Sequence, residues 1–162
     1  MASTIELLYG ASGQVITCTQ ASLANNAARA STAIDNSSNL FEDILVQETM
    51  ETGSSGVSAT GIVNVFATGT TDGGTTYGEG ATGTDAAITL TNPPNVQLIG
   101  TINTPSTASK QYKSTPMSVA KIFGGVIPQK VVIIIQNLTG AAFNGTAGNF
   151  LLQYQGVQHQ AT

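Results

Sequence analysis

Val131-Val132-Ile133-Ile134-Ile135 is the longest unbroken apolar run in the chain. All five side chains are β-branched, which favours extended backbone over helix. The run is far shorter than the ~18–20 residues that span a bilayer. Successive side chains of a strand point to opposite faces. The core of a sandwich therefore accounts for only one face of this run. Residues 131–138 are expected to form a strand that is covered on both faces or lies at a subunit contact. Only Lys130, at its start, carries a protecting charge. The outer face is expected to meet a loop of the same chain, a neighbouring subunit or a different partner. On that ground the chain is read as a homo-oligomer, a trimer or a dimer.

Working outward, similar runs recur from end to end. They fall at residues 15–19, 44–50, 62–67, 88–91, 96–103, 119–123 and 150–157. Each is short and bounded by Gly, Pro, Asn, Ser or Asp, the pattern of strands between turns. Asp72-Gly73-Gly74 reads as a hairpin turn, because Gly supplies positive φ. Asn92-Pro93-Pro94-Asn95 reads as a forced turn between two strands. Residues 20–33 are Ala-rich but lack large apolar residues at i, i+4 spacing. A hairpin with Asn25-Asn26 at its tip is favoured there over a short helix. The expectation is an all-β fold: an antiparallel, jelly-roll-like β-sandwich of about eight or nine strands. It forms one domain over residues 1–162, with residues 1–12 an N-terminal arm or edge strand. Residues 69–84 form a long Gly-rich loop, expected to be exposed.

Charged residues make up 9% of the chain, against about 25% in an average domain. Five Lys and Arg and a net charge of −4 give no basic footprint for nucleic acid. Such a surface meets little charge repulsion when it packs against copies of itself. Hydrophobic residues reach 41% in patterned runs, which argues against disorder. The first residues have no basic stretch, and Glu6 falls where a signal peptide would be apolar. Synthesis in the cytoplasm, with no membrane insertion, is expected.

The candidate chemistry is sparse. Cys18 is the only cysteine, so an intrachain disulfide is impossible and a zinc site has too few ligands. It is expected to be buried and reduced in a strand. The only histidine, His159, lies near the chain end and offers it no general base. Gly78-Glu79-Gly80-Ala81-Thr82-Gly83 matches G-x-G-x-x-G, but it lacks the preceding strand and following helix of a dinucleotide site. Asp72, Glu79 and Asp85 offer carboxylates that a Ca²⁺ ion would take, without EF-hand spacing; turn and solvent roles are favoured. Glu42, Asp43, Glu48 and Glu51 are expected on an exposed strand face, guarding an edge. The sequons at Asn36, Asn137 and Asn144 match no more often than chance allows in a chain this rich in Ser and Thr. With no Trp and four Tyr, aromatic platforms for sugar are scarce. No catalytic, cofactor or metal residues are assigned, and the chain is read as a structural or binding protein rather than an enzyme.

Residues 30–36 (ASTAIDN), 40–46 (LFEDILV), 100–102 (GTI), 112–114 (YKS) and 151–157 (LLQYQGV) resemble segments of small virion proteins of tailed bacteriophages. The resemblance covers most of the chain and consists of strand-and-turn patterns, with no site motif. It implies a β-sandwich subunit of an assembled particle, with virion localisation. Its partners would be the major capsid protein or other virion subunits. Capsid decoration or cementing is the favoured role. A neck, collar or tail component is the alternative, and a carbohydrate-binding sandwich on a fibre is the reading from another class.

Overall fold

The computed structural model describes residues 4–161 and is all-β. One six-stranded antiparallel sheet, sheet A, contains β1 (Ile5–Tyr9), β2 (Gln14–Val15), β5 (Asp43–Glu51), β9 (Gln111–Lys113), β10 (Met117–Ser118) and β12 (Leu151–Ala161). The other, sheet B, contains β3 (Ala28–Ala30), β4 (Ile34–Asp35), β6 (Ile62–Thr70), β7 (Ala86–Ile88), β8 (Gln97–Asn103) and β11 (Lys130–Leu138). Regular helix among the described residues is limited to single 3-10 turns at Gly78–Gly80, Ala120–Ile122 and Ala147–Asn149. None is long or apolar enough to cross a membrane.

The described residues form twelve strands, not eight or nine, because three lanes of the sheets are each filled by two short strands. β1 and β2 share one flank of β12, β9 and β10 share one flank of β5, and β3 and β4 share one flank of β11. Sequence runs of strand-forming residues do not reveal such breaks.

The sheets pack face to face around one main core. Ile44, Val46, Met50 and Leu152 from sheet A meet Val63, Val65, Ile102, Val131, Ile133 and Ile135 from sheet B. Gly156 on β12 illustrates the close packing. A Cβ placed there would lie 2.4 Å from the Phe41 ring, so only glycine lets that ring lie on the strand.

Val131 to Ile135 are all fully buried. The outer-facing pair, Val132 and Ile134, joins Phe66, Ala28 and Ala30 in a second apolar cluster on the far side of sheet B. Residues from the β6–β7 and β7–β8 connections cover it: Tyr77, Ala81, Leu90 and Val96. The strand is therefore covered from within its own chain. Of the three covers expected for its outer face, a loop of the same chain is the one observed, so oligomerisation cannot rest on this strand. Each of Val132, Ile134 and Phe66 contributes roughly 1.5–3 kcal/mol by this burial.

Residues 69–84 are exposed in part, as expected: Thr71, Asp72, Gly73, Thr75 and Thr76 face solvent, while Tyr77 and Ala81 pack down as part of a roof over sheet B. Asp72-Gly73-Gly74 makes no hairpin. β6 pairs with β8 and β11, while β7 pairs with β3 at the opposite side of the sheet. The Asn92–Asn95 turn lies in the connection that crosses the sheet between those two edges, and strand pairing before it ends at Ile88. In residues 20–33 the flanks touch through one bond, from the Thr32 N–H to the Thr17 carbonyl, and form no hairpin ladder. Alanines 28 and 30 pair instead with β7 and β11, where their small size fits under the roof. Residues 119–123 form a 3-10 turn rather than a strand. The Asp43 carboxylate accepts bonds from the Val119 and Ala120 N–H groups and from the Ser118 hydroxyl, which fixes that turn.

Candidate interaction surface

β1 fulfils the edge-strand expectation for the N-terminal segment as far as the described residues reach. Its register on β12 pairs Ile5 with Ala161, Leu7 with His159 and Tyr9 with Val157. Leu152 and Gly156 on β12 are buried toward the core, so alternation turns Val157, His159 and Ala161 outward. Ile5, Leu7 and Tyr9 therefore lie on the outer face of sheet A. They are 71%, 52% and 54% exposed, although they are large and apolar. Val15, opposite Gln153, and Leu151 extend the same face and are also exposed.

No described strand pairs with the free side of β1. That side is a template for a further strand, and natural edges are usually guarded by Lys, Pro or a bulge. β1 has none of these, and its only charge is Glu6. A projecting ribbon with an apolar outer face and an unguarded edge is the most prominent interaction feature among the described residues.

The acidic residues do not converge on a site. Asp72 Oδ1 and Oδ2 accept the N–H groups of Gly74, Thr75 and Thr76 and the hydroxyls of Thr70 and Thr76. The Thr70 and Thr76 hydroxyls foremost hold its carboxyl far below the usual range. Glu79 reaches from the roof to Thr91 and Asn95, accepting their N–H groups at 2.6 and 2.5 Å, and these bonds lower its pKa. Asp85 pairs with Arg29 at 2.5 Å and accepts the N–H and hydroxyl of Thr19. Burial opposes ionisation of Asp85, but the Arg29 and Thr19 bonds prevail and its pKa falls. Among the described residues no three His, Cys, Asp or Glu side chains gather around a metal position. The three loop carboxylates serve separate parts of the structure.

The G-x-G-x-x-G match falls on a 3-10 turn followed by β7, not by a helix. The Gly78 N–H is spent on the Thr68 hydroxyl. A depression of about 380 Å³ beside this turn is lined by Thr70, Asp72, Tyr77, Phe123 and Pro128. Its one carboxylate, Asp72, is already saturated by its own loop. Asn137, one of the sequon residues, is fully buried and ties the end of β11 to the Leu23 and Ala141 carbonyls.

Two expectations about single residues are corrected. Cys18 lies beyond the end of β2 and is half-buried, lining a shallow pocket with Thr17, Thr19, Gln20 and Phe150. Burial foremost, then Glu48 once it has ionised and the Asp85 carboxylate, raises its thiol well above the usual range. A thiol held protonated is a poor nucleophile. His159 is remote from that function, bonded to Glu42 at 2.8 Å. Glu48 does not stand on an exposed face. It is fully buried in the middle of β5, which lies between β12 and the β9–β10 lane and is no edge. The Gln20 Nε2 donates to its Oε1 at 3.0 Å, and burial pushes its carboxyl up to about 8. The parity of Ile44, Val46, Glu48 and Met50 was the available signal, since all four fall on one face of the strand. No protein family model matches the chain, and no curated protein is significantly similar to it.

Proposed function

We propose that this chain is a non-catalytic structural subunit that joins a larger assembly through the β1–β12 ribbon, and that the assembly is a bacteriophage particle whose capsid it decorates or cements. The observation that carries the structural role is the unguarded edge strand with its apolar outer face. The resemblance of residues 40–46 and 151–157 to phage virion proteins supports the particle, and these segments lead into and form the central β5–β12 pair of sheet A. Binding that exists only in the assembled state would stabilise that state by mass action.

The ribbon also suits a second copy of the chain. An antiparallel β1–β1 contact about a two-fold axis through Leu7 sets Ile5 opposite Tyr9 of the neighbour and Leu7 opposite its counterpart. Glu6 then faces Leu8, so no like charges meet. The axis leaves both apolar faces on the same side, which makes one continuous patch. A carbohydrate site has less support, because Tyr9 is the only Phe or Tyr more than half exposed among the described residues.

The test is co-purification. The chain is expected in washed virus particles, at a repeating position on the capsid in a reconstruction by electron microscopy. A folded Leu7→Lys/Tyr9→Lys variant is expected to be missing from them. Particles that lack the wild-type chain, or that incorporate the variant equally well, overturn the reading.

A further inference from the structure

We propose that Glu48 is a neutral carboxylic acid locked in a two-bond ring with the Gln20 carboxamide, and that this ring is a pH-sensitive latch between the β2–β3 connection and β5. Both side chains are buried, Glu48 fully and Gln20 to 1% exposure. One bond of the ring is in place, from Gln20 Nε2 to Glu48 Oε1 at 3.0 Å. The two atoms left without a partner are Glu48 Oε2 and Gln20 Oε1. Both are acceptors if the acid is ionised, and two buried acceptors cannot satisfy one another. A single proton on Oε2 converts it to a donor, and that hydroxyl then bonds Gln20 Oε1. One proton thus satisfies both orphaned atoms at once. Turning the amide over instead would set its oxygen against Oε1 and remove the bond that exists.

The surroundings favour the neutral form. Desolvation raises the carboxyl and outweighs the Gln20 bond, which lowers it. Cys18 is the titratable group coupled to it, and Asp85 and Arg29 lie beyond, acting on Cys18 and paired with each other. On its own strand, Glu51 is held by Asn144. Across the lane, the Ser114 hydroxyl and N–H bond only the backbone of Glu48. From β12, Leu152 stands opposite it. The core that β11 and β6 turn toward sheet A is apolar.

The pH dependence follows by linkage. The unfolded acid ionises near 4.5 and the folded acid near 8. Between these values the unfolded chain has released the proton and the folded chain keeps it, so rising pH favours unfolding. The latch contributes fully below the lower value and is lost as pH climbs through the higher one.

Two measurements on the whole chain test this. The Cδ resonance of Glu48 in ¹³C-glutamate-labelled wild-type protein is expected to titrate with a midpoint near 8. An ordinary carboxylate midpoint overturns the proposal, and this readout needs no variant. Chemical denaturation across the same range compares wild type with Glu48→Gln, whose amide can close the same ring without titrating. The wild-type unfolding constant is expected to rise about tenfold per pH unit relative to the variant between about pH 5 and 8, then to level off. Parallel profiles overturn the latch.

Discussion

Both sheets carry large apolar side chains on their outer faces, and sheet B covers most of its own, Leu98 at its edge excepted, while sheet A does not. On sheet B, Phe66, Val132 and Ile134 lie under a roof formed by the β6–β7 and β7–β8 connections. On sheet A, Ile5, Leu7, Tyr9 and Val15 stand in solvent. Chain supply makes the difference. The roofing segments are long, and their carboxylates staple them down: Asp72 within its turn, Glu79 to Thr91 and Asn95, and Asp85 to Arg29 and Thr19. β1 and β2 are joined by a tight link, and among the described residues no long connection covers this face of sheet A. An apolar outer face therefore marks a contact, and the length of the neighbouring connection decides whether the chain makes that contact itself.

The largest expected effect comes from putting the same charge on the two faces. Ile134→Lys buries an ammonium group beneath the roof with no partner and is expected to cost more than about 4 kcal/mol, enough to unfold the chain. Leu7→Lys on the ribbon is expected to change folding stability by less than about 0.5 kcal/mol. Urea denaturation of both variants checks the pair. Equal costs would erase the distinction between the faces.

A smaller effect is expected from the staples. Asp72 and Glu79 ionise below their ordinary range because the folded loop bonds their charged forms. Their contribution is complete above the unfolded carboxylate values and is lost as pH falls through the lowered ones. Acidification is therefore expected to loosen the roof before it loosens the ribbon. Glu79→Gln should reproduce the loosening at neutral pH, seen as faster hydrogen exchange at Thr91 and Asn95 than at Leu7 or Leu8. Uniform exchange would show that the staples do not hold the roof.

How much of this was legible depended on whether the signal was local. Alternation and β-branching located β5, β6, β8 and β11, because those strands meet their core through their own side chains. The acidic look of 42–51 concealed Glu48. Its charge suggested solvent, while its parity with Ile44, Val46 and Met50 placed it inside. Residues 119–123 read as a strand by composition but form a 3-10 turn, because the distant Asp43 captures their N–H groups. The roof was the least legible feature. Tyr77, Ala81, Leu90 and Val96 are scattered among Gly and Thr with no period, and only the folded sheet brings them together. The ribbon's exposed face was equally invisible, since Ile5, Leu7 and Tyr9 alternate as any half-buried strand would.

The smallest expected effect separates the ways in which two ribbons can meet. With the two-fold axis at Leu7, Glu6 faces Leu8 of the neighbouring copy. Leu8→Lys then places an ammonium opposite each Glu6 and adds two cross-strand ion pairs per dimer. Such pairs contribute roughly 0.2–1 kcal/mol each, so dimerisation is expected to tighten several-fold at low salt and less at high salt. A register one residue toward the N-terminus instead sets Glu6 against Glu6. Glu6→Gln would then be the tightening substitution, and Leu8→Lys would bring no gain. Sedimentation of the two variants over a range of concentration distinguishes these registers. If neither variant changes association, the free edge of β1 is not where copies of the chain meet, and the apolar face beside it is left for a different partner.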